Sequence, residues 1–182
     1  MNKIFEKLTN QLTETIDSSV ALALHNKNQE VEVIHLLWAL LSNTNSVLNQ
    51  LLNKMNVNKV AVELEAKSYA SKLPSVSSVT KESIKLSRNL LSSLQNAEGL
   101  MASFGDKFIA VDTWLISNLD SSVIKDVLGK YVDLKEAKKE LEAMRAGKTI
   151  DSNSGDENLE ALNKYGIDLN KKAIDGLLDP VI

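Results

Sequence analysis

The sequence predicts an all-α protein built from two tandem pseudo-repeated four-helix units, with about eight helices in all. Three observations support this fold class. Glycine (7) and proline (2) are scarce while Leu, Ala, Lys and Glu are abundant, a composition that favours helices over sheets. Apolar residues recur every three or four positions along most of the chain, as on one face of a helix. The apolar pattern of the first half also returns about 78 positions later.

The first unit contains four predicted helices. Apolar steps of three and four over residues 4–24 predict one long first helix. Residues 33–41 are apolar apart from His35, which predicts a short helix enveloped at the centre of the domain. A third helix begins after Ser46, whose hydroxyl suits an N-cap, and a fourth covers residues 58–72.

A connector and a second copy of the pattern follow. Ser and Val alternate around Pro74, which predicts an extended segment. Beyond it, a shift of 78 positions places Leu8 on Leu86 and Val31 on Ile109, and a shift of 76 fits the helix after the buried one. Two copies predict a pseudo-two-fold pair that shares a core, because an open solenoid needs about three units or more.

The boundaries divide the chain into a compact domain, a flexible linker and a short helical tail, at residues 1–148, 149–158 and 159–182. The two units of the domain cover about residues 1–73 and 81–148. Ile150 is the single apolar residue among Gly, Ser, Asn and Asp in the linker, so we expect the linker to be mobile and to be nicked first by proteases. Asp156 is expected to be solvated.

Composition argues against several classes of function. The chain lacks cysteine, so it has no disulfide framework or thiol chemistry. A net charge of −3 with mixed signs does not favour nucleic acid as a partner. No stretch approaches the roughly 18–20 apolar residues of a membrane span, so we expect no membrane partner and a cytoplasmic location.

Catalytic and metal-binding motifs are weak. The "AGKT" at residues 146–149 resembles the end of a phosphate-binding loop, but Glu142 stands where that loop needs glycine. His25 and His35 are the only histidines, and a packed or capping role is favoured over metal binding. We therefore expect a non-catalytic module without a cofactor or metal of its own, and such modules most often bind polypeptide.

Specific stretches resemble a known family. "HLLWALL" and, one repeat later, "GDKFIAVDTWLISNL" resemble the duplicated Clp amino-terminal domain, which stands at the front of hexameric AAA+ unfoldases. The connector "KLPSVSS" and the tail "LNKYGIDLNKKAIDGLLDPVI" are similar to the ClpB branch. This resemblance implies a stress-response disaggregase whose amino-terminal domain engages unfolded or aggregated polypeptide and passes it to the hexamer. An adaptor-docking domain of a ClpA- or ClpC-type unfoldase that serves a protease is the alternative.

The same resemblance implies that the chain stops inside a larger protein, at the start of the first ATPase module. Val181 and Ile182 match family residues at the edge of the adenine pocket. Because the rest of that pocket would lie further along, we expect no ATPase activity in this chain. ATP and magnesium would belong to the parent protein. An enzyme is the alternative from another class, but no catalytic triad or complete phosphate loop supports it.

The resemblance also implies a client-binding site. It assigns this role to six residues, Thr9, Leu94, Asp106, Asp112, Thr113 and Trp114. The expected site is a shallow apolar groove on the second unit, near the leucine and the tryptophan and rimmed by the two aspartates. Asp112 stands where the family has Glu, and Thr113 replaces a groove leucine. Structural roles stay open, because carboxylates favour helix starts and Leu94 matches the core position Ile16.

Overall fold

The computed structural model describes residues 3–157. In that part of the chain it has eight α-helices, one short 3-10 helix and two two-residue strands, which confirms the all-α prediction. The helices are α1 (Asn10–His25), α2 (Val33–Ser42), α3 (Val47–Lys54), α4 (Lys59–Ser71), α5 (Arg88–Phe104), α6 (Val111–Asn118), α7 (Ser122–Val127) and α8 (Leu134–Arg145). The 3-10 helix is Lys3–Lys7, and the strands are β1 (Glu30–Val31) and β2 (Lys85–Leu86). The predicted tail at 159–182, with Val181 and Ile182, lies outside the described residues.

The first predicted helix is broken into two pieces. The 3-10 helix ends at Lys7, Leu8 pairs with the backbone of Ile109, and α1 begins only at Asn10. Thr9 caps α1 because its hydroxyl accepts a hydrogen bond from the Leu12 amide at 3.2 Å. Both pieces bury one apolar face, so the apolar spacing continues across the break and cannot reveal it.

Helix α2 lies at the centre of the domain, as its apolar sequence predicted. It contacts α1, α3, α4, α5 and α7, and Val33–Leu41 are all buried. His35 serves as a capping residue: its Nδ1 accepts from the Glu32 amide at 2.8 Å, and its Nε2 lies 2.9 Å from Asn28 Oδ1. Burial lowers the pKa of His35 to about 4, so the imidazole is neutral at physiological pH.

Two short backbone pairings show how the units are arranged. In the parallel pair β1–β2, Val31 lies opposite Leu86, and an isolated parallel bridge joins Leu8 to Ile109. The shift of 78 positions moves Leu8 to Leu86 and Val31 to Ile109, so it exchanges the two pairings. This exchange is what a pseudo-two-fold axis between helices α1–α4 and α5–α8 requires. The two units share one apolar core, in which residues of both are fully buried.

The segment after α8 packs back on the domain. We call residues 147–157 the strap. Ala146 and Gly147 both adopt left-handed backbone (φ 54° and 73°), which ends α8 and turns the chain. Ile150 is 1% exposed and packs against Ala110 and Phe108. The described part of the predicted flexible linker is thus docked on the domain, because Ile150 packs against Ala110 and Phe108. The composition of the linker does not predict this contact. The domain boundary itself stays a prediction.

Membrane insertion was also tested on the structure. Within residues 3–157, no helix combines the length and the apolar character that crossing a bilayer requires.

Candidate functional site

The six residues expected to bind clients are all buried. Their exposed fractions are 0% for Thr9, Leu94, Thr113 and Trp114, 6% for Asp106 and 7% for Asp112. The expected groove around the leucine and the tryptophan is therefore not on the surface of the described structure. Leu94 and Trp114 are buried in the core because α5 and α6 pack face to face along these side chains. Their role in client binding stays a prediction, and direct contact with a client would require the core to open.

A hydrogen-bond network fixes Trp114 inside the domain. Its indole Nε1 donates to Ser93 Oγ at 2.9 Å, and that hydroxyl donates to the Leu90 carbonyl at 2.6 Å. Asn118 Nδ2 donates to the Ser93 carbonyl at 3.0 Å and to the Trp114 carbonyl at 2.8 Å. Buried indole and amide groups need such partners, so this network ties α5 to α6.

The two predicted aspartates and Thr113 gather around one arginine of α8. Arg145 Nη1 lies 2.6 Å from Asp106 Oδ2, while its Nε and Nη2 lie 2.9 and 2.6 Å from the two Asp112 carboxylate oxygens. Nη2 also donates to Thr113 Oγ1 at 3.1 Å, and the guanidinium lies 5.2 Å from the Phe104 ring centroid. We call Arg145, Asp106 and Asp112 the buried ion cluster. Burial lowers the pKa of Arg145 and the two carboxylates raise it, with a net rise.

The sequence patterns considered above do not predict this role for Arg145. A signal was available: Arg145 is one of only two arginines, with Arg88, in a chain rich in lysine. Planar, bidentate recognition of a carboxylate needs a guanidinium and cannot be supplied by an ammonium group. An isolated arginine at the end of a lysine-rich helix therefore indicates a bidentate contact with a carboxylate.

Thr9 belongs to a second polar cluster, which includes the strap. Its hydroxyl donates to Asp156 Oδ2 at 2.8 Å, and the Val111 amide donates to the same oxygen at 3.3 Å. Burial raises the pKa of Asp156 to about 6, and the nearby Asp112 carboxylate also raises it, against the hydrogen bonds from Thr9 and Val111. The expectation that Asp156 is solvated is wrong, since the residue is 5% exposed.

An apolar groove does open on the second unit, at a different place. It has a volume of about 530 Å³ and lies between α5, α6, α7 and α8. Leu100 and Leu134 form half-buried walls, while Ile116 and Leu119 form a floor that is 6% exposed at each residue. Five charged side chains surround these residues: Asp120, Lys125, Lys135, Lys138 and Glu142. We call this site the α8 groove.

The α8 groove can accept apolar side chains of an extended polypeptide. Hydrophobic contact is non-directional, so such a surface tolerates many sequences. No cluster of three or more His, Asp or Glu side chains suited to a metal ion occurs among residues 3–157.

Comparison with known proteins establishes the family. The model of the Clp repeat (R) N-terminal domain matches residues 7–131. The chain belongs to this family. Chaperone protein ClpB of Wolinella succinogenes is 56% identical to this Clp amino-terminal domain over 178 residues, 98% of this chain and 21% of that protein. ClpB of Helicobacter hepaticus is 52% identical over 179 residues, again 98% and 21%. The chain thus spans about a fifth of the length of these relatives.

Solved structures share the fold. The N-terminal domain of Hsp104 from Candida albicans has a TM-score of 0.74 at 22% identity, with 82% of this chain and 99% of that chain covered. The N-domain of ClpV in complex with a VipB peptide has a TM-score of 0.62 at 18% identity, with 80% and 91% covered. The ClpB relatives confirm the family resemblance seen in the sequence, and the solved structures confirm the fold.

Proposed function

We propose that this chain is the polypeptide-engaging amino-terminal domain of an ATP-dependent, ClpB-type disaggregase. In the full-length protein it would bind unfolded or aggregated polypeptide and pass it to the AAA+ hexamer. ATP and magnesium would be bound by the ATPase modules. The similarity to ClpB chaperones over 98% of this chain supports the assignment, and the peptide bound to the related ClpV N-domain is consistent with it.

The α8 groove is the proposed client site, and its open apolar walls are the observation that favours it. Leu100 and Leu134 are half-buried without a client. A client side chain seated between them would remove further apolar surface from water. The site lies on the second unit, which also contains five of the six residues that the family resemblance implies for client binding; Thr9 lies in the first unit.

The buried ion cluster supports the groove indirectly. Asp112 lies in α6 and Arg145 in α8, and these two helices supply the groove residues Ile116 and Leu134. The bidentate pair between Arg145 and Asp112 therefore fixes the distance between the floor of the groove and its α8 wall. Asp106 adds a second tie to the turn before α6. Residues that the resemblance links to clients would then act as positioning residues, without touching the client.

Binding is expected to be weak and independent of ATP. A client must lose chain entropy on docking, and a short apolar groove offers few specific contacts. Weak binding also suits a domain that must release its client to the hexamer.

The proposal can be tested by fluorescence anisotropy with a labelled, reduced and carboxymethylated model protein as the unfolded client. The test variant is the double substitution Leu100→Gln and Leu134→Gln, because both side chains line the groove and are only half-buried where they pack against the core. Loss of these apolar contacts should weaken binding by about fivefold or more, since each buried methylene is worth about 0.8 kcal/mol.

The matched control is Leu64→Gln in α4. Leu64 is 59% exposed and does not line the groove. Its substitution should leave the affinity unchanged. An equal loss of affinity in both variants, or none in the double variant at full folding, would show that clients bind elsewhere.

A further inference from the structure

The strap binds the domain through contacts distributed along its length. The Lys107 amide donates to the Ile150 carbonyl at 2.8 Å, and the Ile150 amide donates to Asp106 Oδ1 at 2.9 Å. Further along, the Asn10 amide donates to the Asn153 carbonyl at 2.7 Å. These hydrogen bonds and the buried Ile150 side chain hold the strap in one position on the domain, although its composition is that of a linker.

Packing within the strap is also specific. A Cβ at Gly155 would lie 2.9 Å from Cγ2 of Ile150, closer than carbon atoms normally approach. The strap therefore folds over its own isoleucine, with a glycine where the space is smallest.

Asp156 replaces a helix cap that the second unit lacks. In the first unit, α2 begins with a capping box in which Glu32 and His35 satisfy each other's backbone amides. The shift of 78 positions places Ala110 and Thr113 at these two positions, and no side chain of residue 110 caps α6. The carboxylate of Asp156 supplies an acceptor from the far end of the strap instead, although to the amide of Val111, the first of α6, and not to the amides of residues 110 and 113 that correspond to the capping box.

The same carboxylate joins the two units. Its Oδ2 accepts from Thr9, the N-cap of α1, and from Val111, the first residue of α6. One side chain of the strap thus contacts the starts of two helices that belong to different units. Its other oxygen, Oδ1, is buried and has no hydrogen-bond partner among residues 3–157, so within that part of the chain the docked state is held at some cost.

We propose that the strap is a reversible latch between this domain and the chain that follows it, closed by Asp156. In the closed state residues 147–157 lie on the domain, with Asp156 beside the start of α6. In the open state the chain leaves the domain at the end of α8, and the eleven residues 147–157 lengthen the tether by up to about 36–40 Å when fully extended. The closed latch therefore keeps the tether after the domain short, and the open latch makes it long.

The test is amide hydrogen exchange, followed by NMR, on the 182-residue chain. In the unaltered protein the amides of Asn10, Lys107, Val111 and Ile150 should be protected, because each donates to the strap or from it. Asp156→Ala should accelerate their exchange by about tenfold or more. Amides in the middle of α5 should keep their protection, which shows that the domain remains folded.

Two further variants make the test specific. Asp151→Ala removes a strap carboxylate whose hydrogen bonds within residues 3–157 are to the Thr149 hydroxyl, and it should leave exchange unchanged. Asp156→Asn keeps an acceptor oxygen at the cap and should restore most of the protection. Unprotected amides in the unaltered chain, or equal protection in Asp156→Ala, would overturn the latch. Loss of protection throughout α5 in that variant would also overturn it, since Asp156 would then stabilise the whole fold.

Discussion

Arg145 is the residue on which the second unit most depends electrostatically. Its guanidinium is 6% exposed and is the partner of two buried carboxylates. The attraction inside such a cluster offsets the desolvation of three charges only while every member is present. Removing the cation leaves Asp106 and Asp112 uncompensated in a site that water reaches poorly.

We expect Arg145→Met to lower the free energy of unfolding by about 3–5 kcal/mol, the usual range for breaking a buried ion pair. Urea denaturation followed by circular dichroism measures this directly. Arg88→Met is the matched control, because Arg88 is exposed at the start of α5, and it should change the stability by less than about 0.5 kcal/mol. Equal midpoints for the two variants would contradict the role given to Arg145.

His35 should make stability depend on pH. Its folded pKa of about 4 lies below the ordinary value of 6.5, so the unfolded chain binds the proton more readily between these values. Stability should therefore fall as the pH drops from about 6.5 to about 4, by about 3 kcal/mol in total, and this contribution should not change further below that range. Denaturation at several pH values, compared with His35→Gln, isolates the effect. A variant with the same pH slope as the unaltered protein would show that His35 is not the cause.

Sequence reasoning at the residue scale succeeded for local interactions and failed for distant ones. Ser46 caps α3 as expected, by accepting from the Asn49 amide three residues on. Arg145 reaches Asp112 across 33 positions and Asp106 across 39. A helix cap depends on residues within one turn of each other, so the local sequence predicts it. A buried ion cluster depends on which helices pack together, and the local sequence does not predict that. The burial of Leu94 likewise depends on which face of α5 meets α6.

At the scale of elements, the strap differs most from expectation. Its Gly, Ser, Asn and Asp content is typical of a mobile linker, yet Ile150 and Asp156 anchor its two ends. Two anchoring residues among eleven hardly change the composition of the strap, so an average composition over the segment does not reveal them. The break between the 3-10 helix and α1 is hidden for a similar reason, because apolar spacing persists across it.

The docked strap predicts resistance to proteases where the composition predicts early nicking. Trypsin should cut slowly after Lys148, although that side chain is exposed, because cleavage needs the strap to detach. Ile150→Ala removes most of the buried anchor and should accelerate this cut by about tenfold. Ser152→Ala, at an exposed position of the strap, should cut like the unaltered chain. Equally rapid cutting of the unaltered chain and both variants would show that the segment is a flexible linker after all.

At the scale of the whole molecule, the two units are halves of one folding unit. The pairings of Val31 with Leu86 and of Leu8 with Ile109 cross between them, and α2 contacts both α5 and α7 of the other unit. The internal repeat made this arrangement predictable, because a shift of 78 positions maps one crossing pair onto the other. What the repeat could not show is where symmetry fails, as at Ala110, where the strap supplies the cap.

The shared core predicts that neither unit folds by itself. A chain of residues 1–79 keeps α1–α4 but exposes the face of α2 that packs on α5 and α7. Small units that lose a large part of their apolar burial fall below the threshold of stability. We expect a broad, non-cooperative thermal transition and poorly dispersed amide resonances for this shorter chain. A sharp transition with native-like dispersion would show that the first unit is autonomous.

The α8 groove as the client site is the central claim about this molecule. It is tested most directly by titrating the isotope-labelled chain with an unfolded model protein and mapping the amide chemical-shift changes. We expect changes concentrated around Leu100, Ile116 and Leu134, with an affinity that does not require ATP. Changes centred on Leu64 in α4, or no changes at any concentration, would contradict it.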